Sequence, residues 1–261
     1  MRVTINDLQK MKAAGQPIPV LTCYDYTSAK ILDSAGLPVL LVGDSLGMVV
    51  LGFDSTLPVT LDMMVHHCRA VSRGAKNALI ILDMPFATYS AADPGMSLRN
   101  AARALAEGGA NAVKLEGGAA MAPLVATLIS SGIPVMAHIG LTPQSINQLG
   151  GYRMQGRDEA ARKRLLEDAV ALEAAGAFAI VLELVPGELS AQISERLKIP
   201  TIGIGAGKNC DGQVQVFHDL FGLYEDFVPK HTKRYAHVAE TIREAAKAYV
   251  ADVSAKKFPE K

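Results

Sequence analysis

Six apolar runs in the chain each end on a charged, imidazole or glycine residue: Val39–Asp44, Leu79–Asp83, Ala112–Glu116, Val135–His138, Ile180–Glu183 and Thr201–Gly205. Continuous apolar runs of this length read as strands of a parallel sheet covered on both faces. Stretches with helical apolar spacing lie among them, over Leu61–Arg73, Ser97–Glu107, Met121–Ser131, Asp158–Ala175 and Glu188–Leu197. An opening helix is expected from Ile5 to Ala14, capped by Thr4 or Asn6 and stopped by Gly15, with a strand at Ile18–Thr22 after it. The alternating segment Gln213–His218 reads as an eighth strand. A closing helix over Ala236–Val253 places Val238, Ile242, Ala245, Ala246 and Tyr249 on one face, and that spacing predicts a buried face.

Strands alternating with helices imply an α/β fold with a parallel sheet. An open, doubly wound sheet would gather its ligand residues at one switch point. Here polar residues stand at the carboxyl ends of most strands, which favours a closed (β/α)₈ barrel with its chemistry at one rim. A chain of 261 residues suits one such barrel, so residues 1–261 are expected to form a single domain with a short helix before the first strand. The segments Ser45–Thr60 and Gly140–Arg157 are long for connections in a barrel and mark lids or oligomer contacts.

Charge narrows the partners. Lysine plus arginine equals aspartate plus glutamate at 26 each, so no basic surplus points to nucleic acid or an anionic membrane. No stretch is long and apolar enough to span a bilayer, and the N-terminal residues lack the apolar core of a secretion signal. Cys23, Cys68 and Cys210 show no CxxC spacing and suit a reducing, cytoplasmic setting.

The strand ends carry the candidate chemistry. Asp44 and Asp83 each close a strongly apolar run. Two carboxylates at a buried rim repel, and a hard divalent cation such as Mg²⁺ resolves the conflict while keeping positions open for a chelating substrate. The competing reading makes each a helix cap. Lys114 and Glu116, two apart on one strand, share a face. They form either an ion pair or a functional set in which Lys114 meets an oxyanion and Glu116 supports the metal. A Schiff base on Lys114 is a further possibility. Glu183, between Leu182 and Leu184, is placed to have the raised pKa of a base for a carbon acid, or else is a carboxylate at a helix start. His138 is either a hydrogen-bond donor to a developing oxyanion or hydroxyl, or a satisfied core histidine. Taken together, metal-assisted proton abstraction beside a carbonyl fits this set best.

The strings TCYDYTSA, LLVGDSLGMVVLGFDSTLPVT, MPFATY, AVKLEGG, HIGLTPQSINQLGGYRMQGR, LELVP, GIGAG with DGQV, and FVPKHTKRYA resemble the 3-methyl-2-oxobutanoate hydroxymethyltransferase (ketopantoate hydroxymethyltransferase) family from about Ile5 to Val253. The resemblance implies a TIM barrel of the phosphoenolpyruvate/pyruvate superfamily. It also implies transfer of a hydroxymethyl group from 5,10-methylenetetrahydrofolate to 3-methyl-2-oxobutanoate, giving 2-dehydropantoate on the route to pantothenate and coenzyme A. Mg²⁺ and a homodecamer belong to the same expectation. By position, Asp44, Asp83 and Glu116 resemble the metal-binding acids, and Asp44, Ser45, Asp83 and Lys114 the contacts to the oxo acid. Glu183 resembles the proton acceptor, and His138 a histidine near the reacting centre. No residue is assigned to the folate. Two competing readings are a Mg²⁺-dependent oxo-acid lyase, of the isocitrate lyase or phosphonopyruvate hydrolase kind, and a non-catalytic oxo-acid sensor. An isocitrate-type lyase needs a cysteine in a KKCGH-like loop, which this sequence lacks.

Overall fold

The computed structural model describes residues 2–259. Eight parallel strands close in sequence order: β1 (Ile18–Thr22), β2 (Val39–Val42), β3 (Leu79–Asp83), β4 (Ala112–Glu116), β5 (Val135–Gly140), β6 (Ala179–Glu183), β7 (Thr201–Ile204) and β8 (Gly212–Gln215). The α-helices are α1 (Ile5–Ala13), α2 (Tyr26–Ser34), α3 (Leu46–Val49), α4 (Leu61–Gly74), α5 (Pro94–Ala106), α6 (Ala122–Ser130), α7 (Ile146–Leu149), α8 (Glu159–Ala174), α9 (Gly187–Arg196), α10 (Phe217–Leu220) and α11 (Val238–Ser254). Backbone contacts group the chain into two compact units, Met1–Val214 and Gln215–Lys261.

Strand alternation sorts each apolar run between two cores. Val20, Val39, Leu41, Leu79, Ile81, Ala112, Met136, Val181, Ile202 and Val214 pack together inside the barrel. Continuing the same parity toward the carboxyl ends reaches Asp83, Lys114, Glu116, His138 and Glu183. The strand that buries apolar atoms below therefore lifts an ionisable group to the rim above. Helix α1 closes the opposite end. Thr4 and Asp7 form a reciprocal capping box that starts it. Fully buried Leu8 then inserts into the interior cluster, with Val3, Ile5 and Met11 packed around it. Lys12 ties this end to Asp211 through a 2.7 Å ion pair.

The structure departs from the sequence reading in several elements. The eighth strand is Gly212–Gln215, and the chain turns at Val216 into α10, so Phe217 and His218 are helical. Six alternating residues are too few to separate a strand from a strand plus one helical turn. A helix at Tyr26–Ser34, started by Asp25 accepting from the Ser28 N–H, lacks a strong apolar stripe because Tyr26 and Ile31 are exposed. No helix joins β7 to β8; residues 205–211 cross directly. Helix α11 buries no residue, and Ile242, Tyr249, Val250 and Val253 stay exposed. Its periodicity marks an apolar stripe, but periodicity says nothing about a cover.

Candidate active site

Register brings the rim residues into adjacent pairs. Asp83 lies opposite Lys114, Glu116 opposite His138, and Gly140 opposite Glu183. The Lys114 ammonium reaches Asp83 Oδ1 at 2.7 Å and Glu116 Oε1 at 3.6 Å, with all three side chains almost fully buried. Burial alone would depress the lysine, but the charges of Asp83, Glu116 and Asp44 outweigh it and hold the ammonium form. An amine kept protonated is a poor nucleophile, so the Schiff-base reading of Lys114 loses its support.

Asp44 lies just past β2 and is 5 % exposed. Burial first, then the negative charges of Asp83 and Glu116, push its carboxyl well above the usual range. Asp83 is also raised by burial, against the pull of Lys114 and of hydrogen bonds from Lys114 and Asp44. Glu116 is raised by burial to about 7. One lysine thus faces several buried carboxyls, and the surplus must be met by protons or by a cation.

Glu183 ends β6 with its side chain 15 % exposed, and burial raises it to about 8. Its backbone is fixed from both sides. The Leu141 N–H donates to the Glu183 carbonyl at 2.8 Å. Gly140 lies so close to the same carbonyl that a Cβ there would sit 2.2 Å from the oxygen. Immediately after Glu183, Leu184 takes a left-handed φ of 45°, a strained geometry for a branched side chain.

His138 is buried, and burial holds it well below its ordinary pKa, so the ring is neutral. Nε2 lies 2.8 Å from the Leu141 carbonyl, which can only accept, so Nε2 carries the proton. Nδ1 is then a bare acceptor, buried without a hydrogen-bond partner and 3.6 Å from Glu116 Oε1. The ring's Nε2 also lies 3.4 Å from Glu183 Oε2. Its free nitrogen accepts, and it faces a hydroxyl or a protonated carboxyl. Ser45 stands half-buried at the start of α3, with Oγ 2.9 Å from the Tyr24 hydroxyl.

Two residues absent from the sequence reading complete the rim. Gln144, in the segment after β5, donates through Nε2 to Asp44 Oδ2 and to the Met84 carbonyl, both at 2.9 Å. Its Oε1 accepts from the Tyr89 hydroxyl at 2.6 Å, and its backbone N–H donates to Glu116 Oε2 at 3.1 Å. Tyr89 in turn accepts from the Glu116 N–H. Neither residue ends a strand, so the signal that exposed the acids does not reach them.

Three carboxylates do not converge as a preformed cage: among the described residues, no three His, Cys, Asp or Glu side chains are arranged to hold a metal ion. Lys114 engages Asp83, and the Gln144 N–H engages Glu116, leaving Asp44 and Asp83 as adjacent carboxyls linked by hydrogen bonding. Mg²⁺ commonly uses one or two carboxylates and keeps several waters. The donor chemistry therefore fits that ion through Asp44 and Asp83, with Glu116 one layer out.

A closed parallel barrel with ionisable side chains gathered at its carboxyl rim has the layout of a (β/α)₈ barrel enzyme. Comparison with known proteins narrows this further. A sequence profile for ketopantoate hydroxymethyltransferase matches residues 2–261. The 3-methyl-2-oxobutanoate hydroxymethyltransferase of Chloroflexus aggregans is 62% identical over 259 residues, covering 99% of this chain and 92% of the relative. That of Carboxydothermus hydrogenoformans is 58% identical, covering 99% and 94%. The chain belongs to the ketopantoate hydroxymethyltransferase family. Among solved structures, a putative phosphonomutase from Burkholderia cenocepacia J2315 matches with a TM-score of 0.63 at 16% identity, covering 96% of this chain and 98% of the other. A 2,3-dimethylmalate lyase of the PEP mutase/isocitrate lyase superfamily matches with a TM-score of 0.60 at 17% identity, covering 97% and 88%. These two share the fold.

Proposed function

We propose that the chain moves a one-carbon unit from 5,10-methylenetetrahydrofolate to C3 of 3-methyl-2-oxobutanoate. With one water consumed, the products are 2-dehydropantoate and tetrahydrofolate, as a step of pantothenate biosynthesis in the cytoplasm. The observation that carries this reading is Glu183, a largely buried carboxyl raised to about 8 on the same rim as Lys114, Asp83 and Asp44. A base of that strength suits a carbon acid near neutral pH.

Asp44 and Asp83 are the residues to hold Mg²⁺, with Glu116 acting through water. When bound, the ion polarises the keto oxygen of a 2-oxo acid and stabilises its enolate. Lys114 supplies fixed positive charge toward the substrate carboxylate, held in place by Asp83 and Glu116. Ser45, oriented by Tyr24, offers a hydroxyl to the same substrate. Glu183 takes the C3 proton. The carbanion electrons form the new C–C bond to the folate methylene carbon as one of its two bonds to folate nitrogen breaks; the water oxygen replaces the other bond, and the proton taken from C3 and one proton of that water go to the two nitrogens. His138 Nδ1, an acceptor, receives a hydrogen bond from the new hydroxyl. The exposed stripe on α11 supports a homo-oligomer.

A lyase reading would share the acids, but the family match favours transfer. The test follows deuterium at C3 of the oxo acid by NMR, with Mg²⁺ and with or without the folate. Loss of deuterium without folate and 2-dehydropantoate with folate support the proposal. Cleavage of the oxo acid, or binding without exchange, sinks it.

A further inference from the structure

We propose that Gln144 is a positioning residue for the metal-binding carboxylates: it holds Asp44 through its side-chain amide and Glu116 through its backbone N–H. The inference rests on the magnesium reading above and assigns a residue that reading does not use. Four contacts carry it. The amide N–H groups donate to Asp44 Oδ2 and the Met84 carbonyl, both at 2.9 Å. The amide oxygen accepts from Tyr89 at 2.6 Å, and the backbone N–H donates to Glu116 Oε2 at 3.1 Å. These partners fix the amide orientation, because a flipped group would set its oxygen against a carboxylate and a carbonyl. Burial raises the Tyr89 phenol well above its ordinary pKa, so it remains a donor.

The consequence is directional. Gln144 consumes one oxygen of Asp44 and one of Glu116 as acceptors. The other oxygen of Glu116, Oε1, is left facing Lys114 and His138. Gln144 is 5 % exposed, and its contacts reach the ends of β2, β3 and β4 from the segment after β5. A carboxylate held by one oxygen presents the second in a fixed direction, so less orientation is lost when an ion binds.

The test measures Mn²⁺ binding by electron paramagnetic resonance of the free ion, alongside thermal unfolding in EDTA. The proteins are the wild type, Gln144→Leu, Tyr89→Phe and the double variant. Leucine keeps the bulk and the backbone N–H but removes the amide. Outer partners of metal ligands typically contribute about 10–100-fold in affinity, and Gln144→Leu should lose that much. Tyr89→Phe, which leaves Asp44 untouched, should lose about 3-fold or more. The double variant should lose less than the product of the two single losses, because the two side chains share the contact at the Gln144 amide while Tyr89 also accepts from the Glu116 N–H. Binding within twofold of wild type in Gln144→Leu overturns the inference, even with a lowered melting temperature, since that pattern marks a purely structural side chain. If Gln144→Leu fails to fold, unchanged binding in Tyr89→Phe overturns it instead. A wild type that binds no Mn²⁺ overturns the magnesium reading, and this inference with it.

Discussion

Replacing Glu183 with glutamine should make the protein more stable and inactive at once. Burial lifts the Glu183 carboxyl from 4.5 to about 8 in the folded chain. Because the folded state binds this proton more tightly than the unfolded state, folding stability is fullest below pH 4.5. It declines as pH rises toward 8 and is level above that. At about 1.4 kcal/mol per pH unit, the ionisable group costs the fold about 3 kcal/mol at pH 7. The side chain is 15 % exposed, so water screens part of this and the working figure is about 2 kcal/mol. Glutamine keeps the shape and carries no charge. Denaturant unfolding in EDTA, at fixed protein concentration, should therefore show the variant and wild type nearly matched at pH 5. The gap should widen in favour of the variant up to pH 8. Deuterium exchange at C3 of 3-methyl-2-oxobutanoate should fall by about 10²–10⁴-fold. In the metal-free wild type, exchange should rise about tenfold per pH unit and level off above 8. A variant that exchanges at the wild-type rate, or whose stability advantage does not grow with pH, would refute the reasoning.

Three further outcomes follow from the same geometry. Lys114→Met leaves Asp83 buried without its partner and should destabilise the protein by about 3–5 kcal/mol at pH 8. The loss should shrink by pH 5, where the raised carboxyls take up protons, as urea titrations at the two pH values would show. Mg²⁺ at about 100 times its dissociation constant should raise apparent stability by about 2.7 kcal/mol. Scanning calorimetry should find that gain missing in Asp44→Asn. Leu8→Ala empties a fully buried site in the cluster that closes the far end of the barrel and should cost about 2–5 kcal/mol. Its Mn²⁺ affinity should stay at the wild-type level, because the cavity lies at the end away from the rim.

The rim acids were legible because a buried strand advertises itself locally. Five apolar residues followed by Asp83 or Glu183 are a contrast visible within one short window. The same logic placed Lys114 and Glu116 on one face, since their separation is one strand period. Gln144 and Tyr89 show no such contrast. Tyr89 lies in a loop and Gln144 in a short 3₁₀ turn, and each becomes significant only through partners far away in the chain. The tautomer of His138 was equally hidden, because it depends on where the Leu141 carbonyl turns after β5.

The amino-acid order alone determined the alternation of strands and helices, the barrel class and the identity of the acids at the strand ends. Those features follow from hydrophobic period and from caps, both short-range. Closure of the sheet decided the rest. It set Lys114 against Asp83 and brought Gln144 to Asp44 across 100 positions of chain. Charge compensation and hydrogen-bond direction fall off within a few ångströms, so they are settled only when distant segments meet.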